Sequence, residues 1–381
     1  VKAEALWEQL FVAPPTSVDP HRLSSTLQRV FHDFQMQQGE HNNSLRLSSH
    51  NLLIVCDTPS EVVGLGKDLE ELLRQYPGRA VVAVLDEAHQ GPLEAGLRLF
   101  PRRQHLAGEL LGLHLGADAA PLPSLVAPLW QDGLPTVMIY RGRPAYQESW
   151  FRNLLEGCTR LVVDTSHCGG DSLQALAAPL LSLWQLVGDP YHRELSFTDL
   201  NWARMRIWRD WIASLFDRPD RRRFLGLVSG VEIEGWAQPG LQLPSLSSLY
   251  LGAWLAHQLH WPLQQPLQVV PGGYQAIMGE VDFRFYARAT EQNELLGRPV
   301  RVTLKGSCQE QPFRLSVERD SSDSSTLVLG SAAPGCGGGN HRLRLDRLNN
   351  LALMGHELET DGRDRVFEGV LGRLLPLMEV A

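Results

Sequence analysis

The feature that most narrows what this chain can fold into is an alternation in its first half. Short apolar runs recur there, separated by stretches with helical spacing and by Pro or Gly punctuation. Residues 51–57 (NLLIVCD), 79–85 (RAVVAVL), 134–140 (LPTVMIY) and 160–164 (RLVVD) read as strands with no polar face. A strand without a polar face is buried on both sides, the habit of parallel sheets covered by helices. Residues 105–116 add a longer strand with partial alternation. Helical spacing occupies 60–76, 123–130, 147–156 and 172–186. The segment from His89 to His105 takes no assignment.

Gly188-Asp189-Pro190 breaks the pattern. The reading is an α/β N-terminal domain over 1–188 with a mainly parallel sheet. An α+β C-terminal domain over 189–381 follows, with a mainly antiparallel sheet. Its strands are expected near 226–234, 266–270, 276–288, 299–305, 312–319, 325–330 and 341–346, with a helix at 245–257. Helices at 347–358 and 363–378 close the chain.

Composition removes several functions. The 381 residues carry a net charge of −8, which argues against nucleic acid, whose binding needs a basic face. The apolar run over 176–187 is too short for a bilayer and contains Gln185. No basic, apolar leader opens the chain, so a cytoplasmic protein is expected. Cys56, Cys158, Cys168, Cys308 and Cys336 lack zinc or disulfide-scaffold spacing. His257 and His260 sit three apart without a third ligand, so no metal is expected. No GxGxxG stands between strand and helix, and Gly64-Leu-Gly66-Lys67 is not a phosphate loop, so no cofactor is expected.

Residues 195–217 (LSFTDLNWARMRIWRDWIASLFD) concentrate three Trp and three Arg in one helix-length run. Ser196, Thr198 and Asp199 are suitable caps for its start. At about 100° per residue, Leu200, Ile207, Trp208, Trp211, Ile212 and Leu215 share one arc. Trp202, Arg206 and Arg209 fall together on the opposite side. Three readings stand: a core helix with internal ion pairs, a protein interface rich in Trp and Arg, or a phosphate site.

The loop Asp164-Thr-Ser-His-Cys-Gly-Gly-Asp171 follows a strand, where ligands of open α/β sheets bind. Asp164, Ser166, His167 and Cys168, with Arg141 or Arg143 for an anion, make the alternative reading: an enzyme acting on a phosphorylated metabolite at 164–171. Residues adjacent in sequence rarely face one another, and no nucleophile elbow is present. A polar loop capping the next helix is the competing view, and no catalytic residue is assigned.

The combination of segments resembles the glucose-6-phosphate dehydrogenase assembly protein (OpcA) family. Asp199, Leu200, Trp202, Arg204, Trp208 and Arg209 match its Asp-Leu-x-Trp-x-Arg-x-x-x-Trp-Arg stretch. HNLLIVCDTP (50–59), YPGRAVVAVLD (76–86), SLVAPLWQDGLPTVMIYRGRP (124–144) and CTRLVVDTSH (158–167) fit in order. The resemblance implies a non-catalytic activator that binds glucose-6-phosphate dehydrogenase and favours its active oligomer, as in cyanobacteria. On that reading Trp202, Arg206 and Arg209 contact the partner, while Asp199, Arg204 and Trp208 are structural or join the domains. Thiol control in cyanobacterial members implies thioredoxin as a further partner. Here it would rest on Cys336 with Cys308, or on an intermolecular disulfide.

Overall fold

Eight strands build the first sheet: β1 (Thr16–Val18), β2 (His50–Cys56), β3 (Gly78–Leu85), β4 (Glu94–Arg102), β5 (His105–Leu115), β6 (Thr136–Tyr140), β7 (Arg160–Val163) and β8 (Ser196–Asp199). Their order is β1-β4-β5-β3-β2-β6-β7-β8. The computed structural model describes residues 3–11, 16–37, 48–63, 65–102, 105–142, 145–167, 170–189, 194–334, 341–344, 350–360 and 362–378. From β5 to β8 every neighbouring pair is parallel. The antiparallel β4 and β1 extend one edge. Every residue of β2, β3, β6, β7 and β8 is buried, as strands covered on both faces require. Taken in chain order, the six parallel strands run 3-2-1-4-5-6, a doubly wound arrangement whose strand order reverses between β2 and β6.

The second sheet holds β9 (Val228–Ala237), β10 (Leu263–Val270), β11 (Gly273–Met278), β12 (Val281–Ala289), β13 (Pro299–Cys308), β14 (Gln311–Arg319), β15 (Thr326–Ala332) and β16 (His341–Arg344). It runs β10-β11-β12-β9-β13-β14-β15-β16. Only the β12–β9 pair is parallel. Here burial alternates. Val231, Ile233, Phe283, Phe285, Val302, Leu304, Leu315 and Val317 are inside. Glu232, Glu234, Arg284, Arg301 and Lys305 line the other face, with Lys305 Nζ 2.6 Å from Glu232 and Arg301 3.2 Å from Glu234. The helix Leu246–Gln258 packs on β9 and β12. A Cβ on Gly252 would strike the Phe285 ring, so only glycine permits this approach.

The α/β and α+β classes expected from sequence both hold. The chain path is more interleaved than a cut at 188/189 implies. One compact unit comprises Val1–Asp164, Gln185–Asp199 and Asn349–Arg363; the other comprises Thr165–Trp184, Leu200–Leu348 and Asp364–Ala381. Strand β8 lies past the expected boundary yet completes the parallel sheet. The helix Asn350–Glu359 returns to pack on the helix Leu65–Gln75. The segment 89–105, unassigned from sequence, supplies β4.

A buried ion pair fastens the returning helix. Arg160, on β7, donates through Nε (2.9 Å) and Nη2 (2.6 Å) to Glu357 Oε2. Its Nη1 reaches the Gly362 carbonyl at 3.0 Å. Removing one partner strands a buried charge, so Glu357→Ala should cost the first unit about 3–5 kcal/mol in urea unfolding. A loss under about 1 kcal/mol would show that water replaces the carboxylate.

His50, at the start of β2, is 3% exposed. Ser49 Oγ lies 3.0 Å from its Nδ1, and its Nε2 has no partner among the described residues. Burial lowers its pKa to about 4. The unfolded chain therefore takes up a proton near pH 6.5 that the folded chain refuses. Stability present above pH 6.5 should fall as pH drops toward 4, with His50 contributing up to about 3 kcal/mol of that loss. Melts of His50→Gln against pH should be flatter over this window; parallel curves would remove His50 from the account.

Candidate functional site

The Trp/Arg segment is not one helix. Ser196–Asp199 pairs with β7 as strand β8, so Ser196 and Thr198 lie in a ladder and the first helix starts only after Asp199. A short helix, Leu200–Arg204, follows, and a second runs over Arg206–Ser214. Between them Met205 N bonds back to Trp202 O, one residue short of the helical spacing, and Met205 has ψ −4°. That step offsets the two helices, and a single wheel no longer describes them.

The correction matters most for Trp202, which is 2% exposed. Its ring stacks on Phe367 at 5.6 Å and meets Tyr250 edge-on at 6.1 Å. Its Nε1 donates to Asp364 Oδ2 at 3.0 Å. The other Asp364 oxygen accepts from Phe367 N at 2.9 Å, capping the last helix, Arg365–Met378. Arg209 closes the cluster from outside. Its guanidinium carbon lies 3.4 Å from the Trp202 ring centre, and Nη1 donates to the Trp202 carbonyl at 2.7 Å. Burial lowers the Arg209 pKa to about 10, opposed by the charge of Asp364, which leaves a cation at neutral pH. The opposite-side grouping of Trp202 with Arg209 is real, but Trp202 lies beneath Arg209 and not beside it. Its indole is not offered to a partner, because the last helix covers it.

Arg206 is exposed, with a long 3.9 Å pair to Asp210. Trp208 is buried, with Arg319 over its ring at 5.6 Å. Arg204 Nη1 donates to Ser166 Oγ at 3.1 Å. Asn201 joins Thr165 (3.3 Å) to Ser247 (2.8 Å). Asp199 is fully buried at the end of β8. The loop read as an alternative enzyme site forms a single turn over Thr165–His167, with Asp164 buried and Ser166 exposed. Cys168, Arg143, Cys336 and the His167 side chain lie outside the described residues. Cys308 is a half-buried free thiol; burial pushes the Cys56 and Cys158 thiols up to about 12, which leaves them unreactive. Among the described residues no group of three His, Cys, Asp or Glu could hold a metal. No described helix is long and apolar enough to cross a membrane.

A doubly wound sheet implies a dinucleotide at the switch point between β2 and β6. The residues there do not fit one. The turn after β2 is Asp57-Thr-Pro-Ser-Glu61, with a 3-10 turn at Pro59–Val62 where a glycine-rich entry to a helix would cradle pyrophosphate. Asp57 N donates to Glu61 Oε2 at 3.2 Å, and Tyr140 OH to Asp57 Oδ1 at 3.4 Å. Arg141 Nη1 donates to the Glu61 carbonyl at 2.9 Å. Burial raises the Glu61 pKa. A Cβ on Gly142 would strike the Asp57 carboxylate. The turn thus carries carboxylates where phosphates would need donors. Asp86, at the end of β3, is in the place where such sheets hold a ribose hydroxyl. It is buried, with Oδ2 3.2 Å from His114 Nε2 and Oδ1 accepting from Ala88 N.

Fold and turn together define a two-sheet protein whose doubly wound first sheet carries carboxylates, and not a glycine-rich turn, at its switch point. The chain belongs to the OpcA family. Residues 69–178 match the glucose-6-phosphate dehydrogenase subunit N-terminal domain, and 195–371 match the C-terminal domain. Relatives that bear the name OpcA and are named for the OxPP cycle occur in Synechocystis sp. and Synechococcus elongatus. The first is 27% identical over 68% of this chain and 53% of its own length; the second is 26% identical over 66% and 55%. This chain therefore spans about half the length of those relatives. Similar solved structures include glucose-6-phosphate 1-dehydrogenase from Mycobacterium avium, with TM-score 0.46 and 12% identity over 87% of this chain and 91% of that one. A 3-ketoreductase from Actinomadura kijaniata gives TM-score 0.47 and 12% identity over 87% and 96%.

The two tryptophan-segment residues should separate in mutants. Trp202→Ala should cost about 3–5 kcal/mol by emptying a packed aromatic site. Arg206→Ala should change stability by less than about 0.5 kcal/mol. Urea melts of both variants test this. A mild Trp202→Ala would mean that Arg209 and Phe367 collapse into the space.

Proposed function

We propose that this chain is a non-catalytic partner of glucose-6-phosphate dehydrogenase that binds the enzyme, favours its active oligomer and thereby activates it in the oxidative pentose phosphate pathway. The observation that carries the reading is the succession of both dehydrogenase-subunit domains along 69–178 and 195–371. The carboxylates in the switch-point turn, and the absence of a glycine-rich turn there, support the non-catalytic part, since a sheet of this order does redox chemistry through a nucleotide held there. A cytoplasmic setting goes with the reading.

An activator works by binding the active conformer more tightly than the inactive one. A coupling of about 1–3 kcal/mol changes apparent substrate affinity roughly 5- to 150-fold. Of the residues first assigned to contact, Arg206 is the exposed one, and Arg209 presents its outer edge beside it. Trp202 enters the reading as the platform that holds Arg209. Thiol control through Cys308 and Cys336, with thioredoxin as reductant, is part of the proposal.

The test is the glucose-6-phosphate saturation curve of the same organism's dehydrogenase, with and without this chain, under reducing and oxidising conditions. A left-shifted curve with the chain is expected, with a smaller shift for Arg206→Glu. A redox difference lost in Cys308→Ser would support thiol control. Unchanged curves in both conditions would overturn the activator reading.

A further inference from the structure

After the Arg206–Ser214 helix comes Arg218-Pro-Asp-Arg-Arg-Arg223, the densest run of positive charge in a chain of net charge −8. Arg218 is balanced: its Nε and Nη2 reach the two Asp220 oxygens at 3.1 and 2.9 Å. Arg222 and Arg223 are exposed. Arg223 donates to the Pro334 carbonyl at 2.8 Å and lies over Phe224 at 4.9 Å. Arg221 differs from all three. It is 3% exposed, and both its Nε and its Nη2 lack a hydrogen-bond partner among the described residues. Nor does any described carboxylate stand within 4.0 Å of Arg221, Arg222 or Arg223.

Nε and Nη2 form one edge of the guanidinium, two parallel donors spaced for two oxygens of one oxyanion. In two other arginines that edge is filled. Arg160 holds Glu357 with it, and Arg218 holds Asp220. A buried guanidinium whose fork is empty is costly to keep, and the described residues supply no counter-charge. Three successive arginines without a carboxylate also exceed what one carboxylate could neutralise, whereas a phosphate carries about −1.5 to −2 at neutral pH.

We propose that Arg221, flanked by Arg222 and Arg223, binds an external phosphate group, either inorganic phosphate or a phosphate monoester. Both donors are closed to solvent, so an anion reaches them by local opening of the four-residue helix Pro219–Arg222 that carries Arg221, and the fork closes on it in a dry setting where the pairing is stronger than in water. The site is separate from the dehydrogenase-binding reading and is tested on this chain alone.

The experiment is thermal melting of the whole chain in sodium chloride, sodium phosphate and phenyl phosphate at matched ionic strength. The wild type, Arg221→Met and Arg221→Lys are compared. Phosphate should raise the wild-type midpoint saturably, by roughly 2–4 °C at a few multiples of its dissociation constant. Arg221→Lys keeps the charge but not the fork and should lose most of the rise, even if Arg221→Met folds poorly. A response to both anions identifies a monoester site, and a response to inorganic phosphate alone narrows the occupant to the free ion. Equal shifts in wild type and Arg221→Lys, as a general salting effect would give, or no phosphate shift beyond chloride, would overturn the proposal.

Discussion

Burial of a parallel sheet on both faces leaves chemistry only at its strand ends, and that restriction organises the first unit. Every side chain of β2, β3 and β6 is committed to packing, so any site must be assembled from the turns that follow them. In this chain those turns have been turned inward. Asp57, Glu61, Tyr140 and Arg141 bond to one another or to nearby backbone, and Asp86 bonds to His114. The same geometry that would position a cofactor here positions a set of self-satisfied polar groups. The fold supplies a place for a site, and the residues at the strand ends decide what it can hold.

The Trp/Arg segment shows how burial converts an apparent surface feature into a support. Trp202 lies between Phe367 and Arg209, with Asp364 holding both its indole nitrogen and the first turn of the last helix. A guanidinium over an indole face gains from the ring's negative quadrupole, and more so where water is thinned. Arg209 is therefore fixed in orientation, unlike Arg206, whose long pair to Asp210 restrains little.

Much of the architecture was legible because burial on both faces leaves a strong mark. The apolar runs at 51–57, 79–85, 134–140 and 160–164 fall on β2, β3, β6 and β7 within about two residues. Punctuation likewise separated the strands of the second sheet, although 276–288 divides into β11 and β12 at a turn around Gly279. The failures have physical causes. Strand β4 carries Arg98 and Pro101 in an antiparallel edge position, without the continuous apolar run of its neighbours. Strand β8 is four residues long and runs directly into a helix, so helical spacing absorbed it. The burial of Trp202 depends on Phe367 and Asp364, some 160 residues away in sequence, and no local period reports such a partner. The burial of Arg221 has no mark in the sequence, since it sits in a charge run and such runs are ordinarily solvated.

The Arg160–Glu357 pair has a consequence in time. Its members are 197 residues apart, and the helix that carries Glu357 lies close to the end of the chain. At about 5–20 residues per second, a ribosome needs roughly 10–40 s to bring the second member out after the first. Throughout that interval Arg160, inside the parallel sheet, lacks the Glu357 carboxylate, while the second sheet is emerging strand by strand. Completion of the first unit therefore waits on synthesis of the second. A nascent chain stopped before Glu357 would carry a complete parallel sheet whose Arg160 and covering helix Leu65–Gln75 still lack their last partner.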